Sequence, residues 1–165
     1  MADFDIAADF VLTGGLVNEG GYEPATAADP GGETKYGISK RFHPNVDVRN
    51  LTVEGAKEIY RAEFWRFDEV KDQSVASHLL DVCVNEGRTG GMRLIEQSLV
   101  IFFPGKAIAI DGVFGPADLA MINACQPDRF LNELRARRAQ RMYEDLRRNA
   151  KETTLELGLF RRACK

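Results

Sequence analysis

Residues 19–39, Glu19-Gly20-Gly21-Tyr22-Glu23-Pro24-Ala25-Thr26-Ala27-Ala28-Asp29-Pro30-Gly31-Gly32-Glu33-Thr34-Lys35-Tyr36-Gly37-Ile38-Ser39, carry no sustained apolar periodicity. Neither a repeat of two nor one of 3.6 runs through them, so they read as neither strand nor helix. The cluster Asp29-Pro30-Gly31-Gly32 permits positive backbone φ and close approach of another chain or a ligand. Residues 22–42 are therefore expected to form one long shaped loop, with helices on both sides of it.

Outward from this loop the pattern turns helical. Residues 4–18 place Ile6, Phe10, Val11 and Val17 on one face and run into Glu19-Gly20-Gly21. Residues 51–65 follow a Thr52 cap with Val53, Ala56, Ile59, Tyr60 and Phe64 at helical spacing. Ser74 can cap a third helix whose stripe is Val75, Leu79, Val82 and Cys83, stopped by Asn85-Glu86-Gly87. A fourth spans 92–103 with Met92, Ile95, Leu99 and Phe102 inward and Pro104-Gly105 as its end. Pro116, placed for a first helical position, opens a short fifth helix through Ile122. Pro127 opens the longest, running to about Ala150 with Ala136, Ala139, Tyr143 and Leu146 on one narrow face. The expectation is an all-α, mainly helical fold of about six helices with a long Gly/Pro-rich loop.

Size and charge narrow the function. The 165 residues fit one domain or two small lobes, and 44% hydrophobic with 28% charged residues is a globular composition. A net charge of -3 argues against nucleic acid as a partner. Residues 1–125 hold 11 Lys and Arg against 19 Asp and Glu, whereas residues 126–165 hold 11 against 6. That basic segment suits either a solvated helix, the favoured reading, or an approach to an anionic surface. Cys83, Cys125 and Cys164 are odd in number and lack metal-ligand spacing, so reduced thiols are expected, with Cys83 in the core. No basic leader or membrane-length apolar run is visible, which predicts neither signal peptide nor stable membrane insertion.

The chemistry-bearing residues are carboxylates. Only His43 and His78 are present, and no Ser or Cys sits in a nucleophile elbow, which disfavours a triad hydrolase. Phosphate-loop and dinucleotide fingerprints are absent, and no cofactor or metal is expected. A carboxylic acid can protonate a leaving oxygen, with a second carboxylate or a positioned water completing glycoside cleavage. Glu19, expected at a helix end before two glycines, is the best-placed acid. A solvated Glu near a helix cap is the competing reading of that local feature.

The pair of segments 19–22 and 29–39 closely resembles the opening signature of glycoside hydrolase family 108, N-acetylmuramidases with a lysozyme-like fold. Further matches follow in order: Leu51-Thr52, Ala56, Ile59-Tyr60, Phe64-Trp65, Asp81 and Val84-Asn85-Glu86-Gly87. The run Asp111-Gly112-Val113-Phe114-Gly115-Pro116, with Leu119 and Asn123, resembles the peptidoglycan-binding segment that accompanies this family. The resemblance implies a catalytic region at 1–93 and a peptidoglycan-binding helical region at 94–165 packed into the same globule. It also implies that Glu19 is the acid acting on the β-1,4 bond between N-acetylmuramic acid and N-acetylglucosamine. The chain departs from the family near its end, where Gly158-Leu159-Phe160-Arg161 stands in place of a Gly-Trp step.

For the second catalytic role, Thr34 follows Glu19 by 15 positions, a separation similar to that of phage-type lysozymes, and Asp29 follows it by 10. Thr34 could orient a water or be a plain loop residue, and Asp29 could activate that water, stabilise developing positive charge on the sugar, or instead hold the loop as an Asx turn. Tyr22 and Tyr36 offer rings for a sugar face or anchors for the loop. His78, Asp81 and Asn85 share one helix face; Asn85 is expected to line the cleft, and Asp81 and His78 to serve the structure. Together with these residues, the resemblance implies a peptidoglycan hydrolase, most naturally a monomeric phage or prophage endolysin. It would be made in the cytoplasm, released by a holin-like partner and active on the wall in the periplasm. The alternatives are a weakly catalytic or non-catalytic wall-binding or secretion-activator protein and a lytic transglycosylase.

Overall fold

Capping chemistry fixes where the helices begin. In the computed structural model, which describes residues 1–14, 21–25 and 32–148, helix α1 spans Phe4–Asp9 and continues as a π-helical turn over Phe10–Gly14. The Asp3 carboxylate accepts from the N–H groups of Asp5 and Ile6 at 2.8 and 3.1 Å, satisfying two of the donors a helix start leaves open. Thr52 does the same for α2, Val53–Ile59, accepting from Gly55 N–H at 3.1 Å. That helix also ends in a π-helical turn, Tyr60–Phe64. The cap of α3, Gln73–Glu86, is Asp72 and not Ser74: its carboxylate accepts from Val75 N–H at 2.9 Å. Helices α4, Arg88–Leu99, α5, Pro116–Ile122, and α6, Pro127–Arg148, complete a mainly helical fold, consistent with the lysozyme-like expectation.

The expected long loop contains a small sheet. Strands β1, Tyr22–Glu23, β2, Thr34–Lys35, and β3, Ile38–Ser39, pair antiparallel in that order. Lys35 pairs with Ile38, leaving Tyr36 and Gly37 as a two-residue hairpin loop with φ of 52° and 67°. Both central residues of such a turn need positive φ, which glycine adopts freely and tyrosine only under restraint. The restraint is visible: the buried Tyr60 hydroxyl donates to the Tyr36 carbonyl at 2.5 Å.

Several apolar faces lie elsewhere than periodicity placed them. Ile6 is 56% exposed, and α1 buries Phe4, Ala7 and Ala8 instead, with Val11 and Leu12 buried on the following turn. Val53 also lies outward, at 36% exposure. α4 ends at Leu99, before Phe102, because turns occupy the residues leading to Pro104. On α6 the inward face is Phe130, Leu131, Leu134 and Arg138, while Ala136 is exposed and Tyr143 is 55% exposed. The expected helix to Asn18, the end of α6 at Ala150, the Gly158–Arg161 run and Cys164 lie outside the described residues, as does the Leu146 side chain.

One core joins these elements, and it draws on both sides of the 93/94 division. Phe4, Trp65, Phe67 and Phe114 form a chain of edge-to-face rings with centroids 5.2–5.6 Å apart, linking α1 to the loop before α5. The same loop is held by Glu96 of α4, a carboxylate 2% exposed that accepts from the N–H groups of Gly112 and Val113 at 3.0–3.1 Å. α3 is buried from Val75 to Val84, Cys83 included, and Gly91 lets α4 approach it. A Cβ at Gly91 would sit 2.7 Å from Cys83 Cα, a contact with backbone that no rotamer relieves. Gly91→Ala is expected to cost about 1–3 kcal/mol by forcing the two helices apart, read as a lower urea midpoint; an unshifted midpoint would remove the close approach as a determinant of stability.

Candidate active site

A cleft of about 700 Å³ opens between the end of the hairpin, the π-helical turn after α2 and the junction of α3 with α4. Gly37, Ser39 and His43 form one wall, Ala62, Glu63 and Phe64 the second, and Asn85, Glu86, Gly87 and Arg88 the third. The third wall turns sharply because Gly87 takes φ 71° between two helices that share no other linker. That φ favours glycine, and the break aims the last side chains of α3 and the first of α4 into one opening.

Polar contacts fix the cleft residues. His43 bridges two walls, with Nδ1 3.3 Å from the Ser39 carbonyl and Nε2 3.0 Å from Glu63 Oε2. Asn85 donates from Nδ2 to the Asp81 carbonyl at 2.7 Å and to Asp81 Oδ1 at 3.1 Å, which leaves its amide oxygen for the cleft. Glu86 is paired with Arg141 of α6 at 3.1 Å. Burial raises its carboxyl above the usual range, towards holding a proton, with Arg141 acting in the opposite direction.

Beneath the cleft α3 is tied to α6. Arg138 donates from Nη1 to Asp81 Oδ2 at 2.7 Å, with both side chains buried. Burial pushes the Asp81 carboxyl upward and Arg138 opposes that shift. His78 faces the Ser74 carbonyl through Nδ1 at 2.8 Å and Arg135 Nη2 through Nε2 at 3.2 Å. A neutral ring protonated on Nδ1 satisfies both neighbours, since it donates to the carbonyl and accepts from the guanidinium. Burial accordingly lowers the His78 pKa from its ordinary 6.5.

That shift has a definite sign. The unfolded chain binds the His78 proton more readily than the folded one, so His78 stability is full above about pH 6.5 and is lost as pH falls through the depressed folded value. Wild type is expected to lose stability relative to His78→Gln between pH 7 and 5, measured by urea denaturation. A constant difference between the two across that range would assign His78 no proton linkage.

The sequence-derived site residues distribute unevenly. Asn85 lies in the cleft wall. Thr34 sits in β2 between Glu23 and Ser39, its hydroxyl 3.4 Å from the Gly32 carbonyl. Tyr22 donates its hydroxyl to Glu33 Oε2 at 2.8 Å, an acceptor that raises its pKa, and the Arg49 guanidinium covers its ring at 5.8 Å. Lys35 lies 5.3 Å from the Tyr36 ring centroid. Glu19 and Asp29 lie outside the described residues. His43, Glu63, Glu86 and Arg88 went unassigned from sequence, and only Glu86 carried a signal, through the motif Val84-Asn85-Glu86-Gly87.

Among the described residues no group of three or more His, Cys, Asp or Glu is placed to hold a metal ion, and no helix is long and apolar enough to cross a membrane. The Gly87 break and the sheet that builds the cleft both lie within the first 87 residues, a region that has a match of its own. Residues 14–87 match the model of the glycosyl hydrolase 108 family. The glycosyl hydrolase 108 match supports this family and a glycoside hydrolase, and it spans all three strands, α2 and α3. Among solved structures, Brucella abortus SagA aligns over 97% of this chain and 92% of its own, with 25% identity and a TM-score of 0.68. No curated protein matches the chain.

Proposed function

We propose that the chain is an N-acetylmuramidase, hydrolysing the β-1,4 bond between N-acetylmuramic acid and N-acetylglucosamine in peptidoglycan. The observation that carries this reading is the glycosyl hydrolase 108 match over residues 14–87, which contain Glu19, Asp29 and Thr34 together with two walls of the cleft. In this reading Glu19 protonates the departing glycosidic oxygen, while Thr34 orients the attacking water and Asp29 activates it or shapes the loop. Tyr22, Tyr36 and Asn85 contact the sugars. Residues 94–165 add affinity for the wall.

The ends of the released fragments test the reaction. Mass spectrometry of soluble products from purified peptidoglycan is expected to find reducing muramic acid ends. Anhydro ends, lighter by one water, would make the protein a lytic transglycosylase. Binding to sacculi with no released fragment would make it a wall-binding protein. The biological setting that goes with hydrolysis is a phage or prophage endolysin, monomeric and active in the periplasm. It is expected to lyse its expression host only when a holin-like, membrane-permeabilising partner is co-expressed.

A further inference from the structure

Beside the cleft lies a second cavity, of about 180 Å³, lined by Arg66, Arg88, Met92, Gly112, Val113 and Phe114. Arg88 belongs to both, so the two spaces adjoin at its side chain. The lining of the smaller cavity holds two guanidinium groups and no carboxylate. The acids beside these lining residues carry bonds of their own: Glu96 accepts from the backbone of Gly112 and Val113, Asp111 from that of Val113, Glu86 pairs with Arg141 and Glu63 with His43. Among the described residues no ion pair forms on Arg66 or Arg88. Arg66 is held in place by its donations to the carbonyls of Trp65 and Ala62, which spend only part of its five-donor fork. Met92 and Phe114 give the cavity an apolar floor.

We infer that this cavity is a subsite for an amino-acid carboxylate, filled by the peptide that peptidoglycan carries on its muramic acid sugars while the glycan occupies the cleft. Two guanidinium groups over an apolar floor match a carboxylate on a short aliphatic side chain or chain end, since planar forks bind carboxylates in a bidentate, charge-assisted way. The volume admits one amino-acid residue. The inference rests on the muramidase reading for the glycan in the cleft, but the cavity's charge and shape are independent of it.

Two measurements separate the claims. In the first, wild type and the Arg66→Met/Arg88→Met double variant digest intact peptidoglycan and the same polymer after an amidase has removed its peptides. Wild type is expected to favour the intact polymer by about tenfold in kcat/KM, and the double variant by less than about threefold. An equal preference in both proteins overturns the subsite. In the second, calorimetry compares wild-type binding of a soluble disaccharide-peptide with free carboxylates against the same compound with carboxamides. Free acids are expected to bind about tenfold more tightly, with the gain reduced by Arg88→Lys, which keeps the charge but not the fork, and reduced further by Arg88→Gln. Equal binding of acid and amide overturns the subsite even where hydrolysis proceeds. Acid-selective binding without cleavage of either polymer supports the subsite and overturns the hydrolase reading.

Discussion

Glu19→Gln is expected to lower fragment release from peptidoglycan by about 10²–10⁴-fold, the range that a positioned general acid contributes to a transition state. Glutamine keeps the size and planar shape of the side chain and removes only the transferable proton, so the loss belongs to kcat and binding to sacculi persists. A variant that still releases fragments at a rate close to wild type would take the acid role away from Glu19. Asp29→Asn then separates the two readings of Asp29. Asparagine can hold an Asx turn before Pro30-Gly31-Gly32 but cannot take a proton from water. A fall in kcat on Asp29→Asn assigns Asp29 to the chemical step, as base or as the anion facing the sugar's developing positive charge, and retained activity assigns it to the turn.

How far the fold could be read in advance depended on whether the deciding interaction was local. Thr52 was legible because its partner, Gly55 N–H, lies three residues away and the apolar run begins immediately after it. The α3 cap was not, since Asp72 and Ser74 both precede the run and only the bond to Val75 N–H separates them. The small sheet escaped periodicity because each strand has two residues, too few to show alternation. Its turn left a trace in Gly37, but the positive φ of Tyr36 depends on Tyr60, 24 positions on.

The same distinction runs through the cleft. Asn85 was legible through a motif and a helical spacing, both short-range. His43 and Glu63 meet across 20 positions, and neither belongs to any pattern until the hairpin folds against the turn after α2. Arg88 gains its place only because Gly87 breaks the helix, so that the residue after the break faces two cavities. On α6 the small residues Ala136 and Ala139 suggested a packing face, yet Ala136 is exposed and Ala139 only half-buried. Arg138 is buried there instead, for a reason located 57 positions earlier in Asp81.

That pair sets the largest expected stability effect among the described residues. Arg138→Ala is expected to cost about 3–5 kcal/mol, because Asp81 then keeps a fully buried carboxylate without its cation. The cost arises from the uncompensated charge more than from the lost attraction. Replacing both partners with apolar side chains of similar volume, Asp81→Leu with Arg138→Met, is therefore expected to recover most of it, since both desolvation penalties vanish together. Urea denaturation of the single and double variants measures the difference, and a single-variant loss below about 1 kcal/mol would show that solvent reaches the pair. Activity adds a second readout. The Asp81 carboxylate also accepts from the Asn85 amide, so the double variant regains stability while Asn85 keeps its bond to the main-chain carbonyl of residue 81 and loses the second one that orients it. Recovered stability with an increased KM would separate the two duties of Asp81, joining α3 to α6 and aiming a side chain at the substrate.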